Sequence, residues 1–225
     1  MKKLALALTS ACALALLGGC ATFKPMALSK DAQQIDVSKE SIALMTVRVA
    51  NTYKTGYQPR LRYVAVRSEE GDRPMINYQI SELVARDESE SNQFEDAVVS
   101  IALPPGKYQL RHFGVASQSL LTPGRGFIPI YTRFEVKPAQ VVYIGRIEAT
   151  RRERKNDSEL RAGLVVPLID QAVSGYSGGT FDVAIRDASA QDLAKFRGIY
   201  PALERTQVSK AVLRAWRKPS DEDME

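Results

Sequence analysis

The chain contains little cysteine and little histidine. Its 225 residues include two cysteines, Cys12 and Cys20, and a single histidine, His112. Because both cysteines lie in the first 20 residues, the rest of the chain has no disulfide, no thiol nucleophile and no cysteine metal ligand. A single histidine also excludes the familiar multi-histidine metal sites. We therefore expect no metal site and no cofactor, and His112 is the one side chain suited to act as a base near neutral pH.

A long hydrophobic run is also missing. The N-terminal apolar stretch follows Lys2 and Lys3 and ends at Gly18 and Gly19. A helix that crosses a bilayer needs roughly 20 apolar residues, and this stretch is too short. Two basic residues followed by a short apolar segment are instead typical of a secretory signal peptide.

The end of this leader carries a specific motif, Leu17-Gly18-Gly19-Cys20. The motif resembles the lipobox of bacterial lipoproteins. The resemblance implies signal-peptidase cleavage between Gly19 and Cys20 and acylation of Cys20, so that membrane lipid is a partner of the mature protein. By the same resemblance, a residue other than aspartate after the cysteine, here Ala21, favours the outer membrane with the protein facing the periplasm. The alternative is an ordinary cleaved signal peptide with a chance cysteine.

The sequence beyond the leader divides by composition. We predict a signal peptide at 1–19, a lipidated tether at 20–40, a β-sandwich at 41–187, helices packing on the sandwich at 188–218 and a disordered acidic tail at 219–225. Removal of the leader takes away two lysines, so the formal net charge falls from +5 to +3. This mild positive charge gives some attraction to anionic lipid or polysaccharide and no more.

Alternating apolar residues and turn residues predict an all-β fold, an antiparallel β-sandwich with a short helical C-terminal extension. The predicted strands are 42–49, 60–67, 75–83, 97–103, 127–136, 141–147, 160–169 and 180–187. The strand 141–147 is apolar on both faces where it begins, which is typical of a covered central strand. Pro105 and Gly106 predict the turn of a hairpin, after which Tyr108, Leu110 and His112 share one face.

Part of this region resembles a known class of domain. The segments Leu103-Pro104-Pro105-Gly106-Lys107-Tyr108 and Val142-Tyr143-Ile144-Gly145, the latter preceded by Phe134 and Val136, resemble the carboxypeptidase-regulatory-like and PEGA-type β-sandwich modules. Such modules occur in bacterial lipoproteins of unknown function. The resemblance implies a sandwich that tethers or binds and has no active site of its own.

Two helices are predicted after residue 187. Ser189 and Asp192 have the spacing of a capping box, and apolar residues then recur at helical spacing as far as Tyr200. A second apolar stripe predicts another helix packed on the sandwich. The stripe consists of Val208, Ala211, Val212, Ala215 and Trp216.

The most suggestive catalytic motif is Gly-Tyr-Ser-Gly-Gly at 175–179, which fits the G-x-S-x-G pattern of hydrolases. That pattern needs a helix after the serine and a histidine later in the chain. Here the residues after Gly179 alternate as a strand, and His112 lies upstream. We therefore predict that Ser177 belongs to a loop between strands and is not a nucleophile.

Two charged stretches remain. The acidic stretch 86–96 has no glycine of the kind that a calcium loop requires, so we interpret it as a solvated loop or irregular edge. The stretch 151–157 is predicted to be an exposed charged turn, with polyanion binding as the less favoured alternative. Nothing indicates a nucleic-acid-binding module.

These observations favour a non-catalytic lipoprotein of the cell envelope that binds or scaffolds, with an envelope protein or polysaccharide as partner. The alternative is an envelope hydrolase that acts on peptidoglycan or glycan through paired carboxylates, because two acids can meet in space from any positions in a chain.

Overall fold

The computed structural model describes residues 23–224 except 72, 82, 88–93, 119–123 and 165–172, and for 83–87 it describes the backbone alone. Two β-sheets pack face to face, which confirms the predicted all-β sandwich with a short helical C-terminal part. The strands are β1 Phe23–Lys24, β2 Ser41–Asn51, β3 Arg60–Ser68, β4 Ile76–Gln79, β5 Leu83–Asp87, β6 Phe94–Leu103, β7 Gly106–Ser117, β8 Gly124–Val136, β9 Val141–Glu153, β10 Gly179–Arg186 and β11 Val208–Lys210. The helices are α1 Ser189–Ile199, a 3-10 turn Pro201–Leu203 and α2 Asp221–Met224.

Both sheets are mixed, because each contains parallel as well as antiparallel pairs of strands. Sheet one has the strand order β1-β4-β3-β7-β8, and sheet two has the order β10-β9-β2-β6-β5. The pairs β1/β4, β2/β9 and β9/β11 are parallel. Strands β10 and β11 share one edge of β9, since β10 pairs with its second half and β11 with Val141–Tyr143.

The turn at Pro105 and Gly106 does not form a hairpin. It joins β6 in sheet two to β7 in sheet one, so the chain passes from one layer of the sandwich to the other. The Tyr108 hydroxyl donates a hydrogen bond to the Pro104 carbonyl (2.8 Å) and holds this corner. The turn residues predict a chain reversal, but both strands find their hydrogen-bonding partners elsewhere.

His112 lies on the face of β7 opposite to the predicted one. Leu110 and His112 pair with consecutive residues of β3, so β7 has one extra residue there, which is a bulge at Arg111. Tyr108, Leu110 and Phe113 therefore point into the core between the sheets, whereas His112 points outward. A single extra residue reverses the alternation of side chains along a strand.

Sheet two is covered on both faces, as the apolar start of β9 predicts. Its inner face packs against sheet one, and its outer face carries a second core that includes Leu44, Val98 and Tyr143. Phe196 of α1 and Leu203 of the 3-10 turn close this second core, and both are fully buried.

The segment predicted as a tether is part of the folded domain from residue 23 onward. β1 pairs with β4 at the edge of sheet one. The Ala27 amide then donates to the Ser100 carbonyl (2.9 Å), and the Leu28 amide donates to the Ser100 hydroxyl (3.0 Å) on sheet two. Leu28 is buried in the second core. We call residues 23–37 the N-terminal strap, because they cross from one sheet to the other.

The C-terminal residues also cross between the sheets, and the predicted second helix does not form. The chain follows β9 through β11 and two further hydrogen bonds from Ala211 and Leu213. The indole of Trp216 then donates to the Pro129 carbonyl of β8 (2.8 Å). We call residues 208–224 the C-terminal strap. The free edge of β9 offers these residues backbone partners, and this contact outweighs their helical spacing.

The acidic end is ordered through residue 224, so the prediction of disorder there was wrong for the described part. Asp223 is buried beside Ser220, whose hydroxyl donates to its carboxylate (2.8 Å). Hydrogen bonds from the backbone and side chain of Ser220, followed by the charges of Arg217 and Arg133, lower the pKa of Asp223. No helix in the described part of the chain is long and apolar enough to span a bilayer.

Candidate functional site

The Gly-Tyr-Ser-Gly-Gly loop serves the fold. Tyr176 is fully buried, and its ring lies against three residues without side chains, Gly124, Gly126 and Gly163. A Cβ atom at Gly163 would come within 2.8 Å of the Tyr176 Cβ. The Arg151 guanidinium stacks on the other side of the ring, 4.1 Å from its centroid. The loop therefore places a buried aromatic ring in the core between the two sheets.

Ser177 contributes its backbone to the fold. Its carbonyl accepts a hydrogen bond from Arg161 (2.7 Å), and β10 begins two residues later. The structure thus confirms a strand where a hydrolase needs a helix. In this loop Gly175, and neither Gly178 nor Gly179, has a positive φ, of 79°.

Arg151 corrects the interpretation of residues 151–157 as an exposed turn. β9 continues to Glu153, and Arg151 points inward and is fully buried. Its Nη2 donates to the Tyr57 carbonyl (2.7 Å). Desolvation lowers the pKa of Arg151. The other charges of this stretch pair locally, for example Arg152 Nη2 with Glu159 Oε1 (2.6 Å).

His112 is built into an aromatic cluster. Its ring meets Tyr63 and Phe127 edge to face, with centroids 5.7 and 5.0 Å apart. Desolvation, followed by the charge of Arg111, lowers the pKa of His112 to about 4. The imidazole is therefore neutral near pH 7, and no carboxylate among the described residues makes a salt bridge with it.

The depressed pKa of His112 predicts a pH dependence of stability. An unfolded histidine has a pKa near 6.5, so the unfolded chain binds more protons than the folded one between pH 6.5 and 4. Stability should therefore fall as the pH drops through this window, by about 3 kcal/mol in total from this group. His112→Phe should flatten that part of the curve in urea unfolding measured from pH 7 to 4. Equal slopes in both proteins would contradict the assignment.

The least expected feature is a buried polar network beneath α1, which we call the Asp192 network. Thr46 Oγ1 and the Tyr143 hydroxyl both donate to Asp192 Oδ2, at 2.5 and 2.6 Å. Arg146 Nε donates to Asp192 Oδ1 (3.1 Å), and its Nη2 also pairs with that oxygen. Asp192 has no exposed surface. The predicted capping box is wrong, because Ala188 is the N-cap and Asp192 faces the sheet instead.

A second buried carboxylate lies beside this network. Asp96 accepts two hydrogen bonds from Arg48, at 2.7 and 2.8 Å, and one from Lys195 of α1 at 3.3 Å. Burial acts to raise the pKa of Asp96, but these two cations outweigh it and lower the pKa. A general acid needs a raised pKa near neutrality, so neither the charge nor the hydrogen bonding of Asp96 favours that role.

Glu95, the neighbour of Asp96 in the acidic stretch, lies apart from this network. Glu95 points to the inner face of β6 and accepts a hydrogen bond from the Leu61 amide (2.7 Å). Residues 88–93 lie outside the described part of the chain, as do Gly19 and Cys20. Among the described residues, no group of three histidine, cysteine, aspartate or glutamate side chains could hold a metal ion.

A surface groove opens above the Asp192 network. It encloses about 480 Å³ and is lined by Arg146, Glu148 and Arg186 on one side and by residues 187–191 at the start of α1 on the other. Arg186 pairs with Glu148 across the floor. We call this feature the α1 groove. Its mixed charges and open shape suit a polar ligand or a segment of a partner.

Comparisons with protein-family models, with curated proteins and with solved structures found no match for this chain.

Proposed function

We propose that this protein is a lipid-anchored, non-catalytic binding or scaffolding module of the outer membrane that faces the periplasm. The lipobox ending at Cys20 supports the anchor. The structural role of the Gly-Tyr-Ser-Gly-Gly loop supports the non-catalytic part of the proposal, because Tyr176 of this loop packs against Gly124, Gly126 and Gly163. The resemblance to PEGA-type modules stays a prediction that favours the same role.

The hydrolase alternative finds less support in the described residues. A retaining or inverting glycosidase needs two carboxyl groups facing each other across a cleft, one of them with a raised pKa. Asp96 and Asp192 are both buried beneath α1 and paired with arginines. The arrangement favours a structural role for both acids.

The anchor is tested at Cys20. Cys20→Ala should abolish incorporation of labelled palmitate and release the protein from the membrane fraction, because the acyl chains contribute about 0.8 kcal/mol per buried methylene. Metabolic labelling and fractionation measure both effects. Undiminished labelling of the variant would exclude lipidation at this residue.

Binding is tested in the α1 groove. A photo-crosslinking amino acid at Gln191, which lines the groove, should give an adduct with an envelope component in intact cells. The same amino acid at Ala194, which is exposed on the same helix but does not line the groove, provides the matched control. Adducts of equal yield at both positions, or none at Gln191, would count against the groove as the binding surface.

A further inference from the structure

The outer face of sheet one carries a continuous line of aromatic side chains. The ring of Phe23 meets Tyr63 at 5.4 Å, Tyr63 meets His112 at 5.7 Å, and His112 meets Phe127 at 5.0 Å, all edge to face. Gly114 lies beneath the Tyr63 ring, where a Cβ atom would overlap it. We call these four side chains the aromatic row.

The two ends of the aromatic row are exposed. Phe23 is 48% exposed and Phe127 is 37% exposed, and both are among the few large apolar side chains that the described surface shows to solvent. His112 is neutral near pH 7 because burial lowers its pKa. Arg125 is exposed two residues before Phe127 and lies on the same face of β8. The row is thus an uncharged apolar strip with a basic residue at its margin.

The position of Phe23 relative to Cys20 identifies what can cover this strip. Two residues, Ala21 and Thr22, separate the cysteine from β1. Three Cα-to-Cα steps span at most roughly 11 Å. An acyl chain on Cys20 would enter the bilayer at that residue and so keep Phe23 within about 11 Å of the membrane surface. The N-terminal strap fixes Phe23 to the sandwich, and the whole row follows it.

We infer that the aromatic row is the surface by which the domain rests on the lipid bilayer. This inference depends on the lipid anchor proposed above. Aromatic side chains favour the interface between head groups and acyl chains, and Arg125 is placed to meet anionic head groups. The row lies on sheet one, whereas α1 and its groove lie on the outer face of sheet two. Docking in this way turns the α1 groove toward the periplasm.

Tryptophan quenching by brominated lipids tests the inference on the acylated full chain in vesicles of phosphatidylethanolamine and phosphatidylglycerol. Trp216 is the single tryptophan, so Trp216→Phe provides a silent background. In that background, Phe127→Trp places the reporter in the row, and Ala194→Trp places it on α1 as the control. Lipid brominated near the head group should quench the reporter at 127 severalfold more than the reporter at 194. Phe23→Trp gives a second reporter if Phe127→Trp does not fold.

The outcomes separate the inference from the anchor. Vesicle flotation and palmitate labelling first establish that the chain is acylated and bound, and failure at that stage would overturn the proposed function. If the chain is bound but the reporters at 127 and 194 respond equally to brominated lipid, the docking inference is wrong and the anchor stands. Shielding of position 127 from aqueous iodide without quenching by brominated lipid would show that a protein covers the row, and it would also overturn the inference.

Discussion

Asp192→Ala is expected to lower the free energy of unfolding by about 3–5 kcal/mol. Asp192 is fully buried and balances the charge of Arg146 beneath α1, while Thr46 and Tyr143 donate to the same carboxylate. Its removal leaves a guanidinium and two hydroxyl groups without their acceptor in a largely buried place. Urea unfolding of the leaderless Cys20→Ala protein at pH 7 measures the change.

Asp187→Ala is the matched control for this experiment. Asp187 lies five residues earlier and pairs with Lys210, but both side chains are about half exposed. Such exposed pairs contribute little to stability, so the free energy of unfolding of the control should be close to that of the parent protein. The double variant Asp192→Leu with Arg146→Met should recover much of the loss, because it removes both buried charges together. Similar unfolding of Asp192→Ala and Asp187→Ala would contradict the buried network.

Tyr176→Ala is expected to lower the free energy of unfolding by about 3–5 kcal/mol. The substitution empties the space between three glycines and the Arg151 guanidinium, and it removes the hydrogen bond to the Ser117 hydroxyl (3.0 Å). Tyr176→Phe keeps the ring and loses only this hydrogen bond, so its effect should be about 1 kcal/mol. Thermal and urea unfolding distinguish the three proteins.

For the neighbouring variant Ser177→Ala, we expect almost no change in the free energy of unfolding. Ser177 is partly exposed and contributes its carbonyl to Arg161, so this variant should unfold within about 0.5 kcal/mol of the parent. A fluorophosphonate probe should label neither protein. Probe labelling of the parent that disappears in Ser177→Ala would show that the serine is a nucleophile and that the non-catalytic proposal is wrong.

Local sequence pattern predicts which residues form strands more reliably than it predicts their partners. The alternation in β3 and β8 places these strands within a few residues of their observed bounds, and the apolar start of β9 places its first residue, although β9 continues beyond the predicted end to Glu153. The turn at Pro105 and Gly106 predicts a reversal but cannot tell whether the next strand stays in the same sheet. That choice depends on edges supplied by distant segments, here β2 for β6 and β3 for β7.

The errors at both ends of the domain have the same physical cause. Residues 23–37 and 208–224 look locally like a tether and a helix, but each passes along sheet edges that need hydrogen-bond partners and cover. Neither edge is visible in the local sequence. The bulge at Arg111 is likewise not visible in the local sequence, because it depends on the register of β7 against β3.

One feature of the sequence indicates that a buried charged network exists. Arg146 is the single charge in the otherwise apolar run from Val141 to Ile147, and a charge in a doubly covered strand requires a partner. The identity of this partner of Arg146 could not be predicted, because the spacing of Ser189 and Asp192 also satisfies a capping box. Asp192 lies on the face of α1 that packs on the sheet. Its carboxylate therefore binds Arg146 instead of the backbone amides at the start of the helix.

The parallel pairing of β2 with β9 decides when the sandwich can be completed. Ser41 and Gln140, which are bonded where the two strands begin, are 99 residues apart in the chain, and closing a loop of that length costs roughly 4 kcal/mol in entropy. Strands β7 and β8 can pair earlier, because they follow each other directly. Until β9 has been synthesised, β2 is an apolar segment with one edge unpaired. A chain that ends before β9 is therefore expected to aggregate through β2, and slow synthesis favours that outcome over folding.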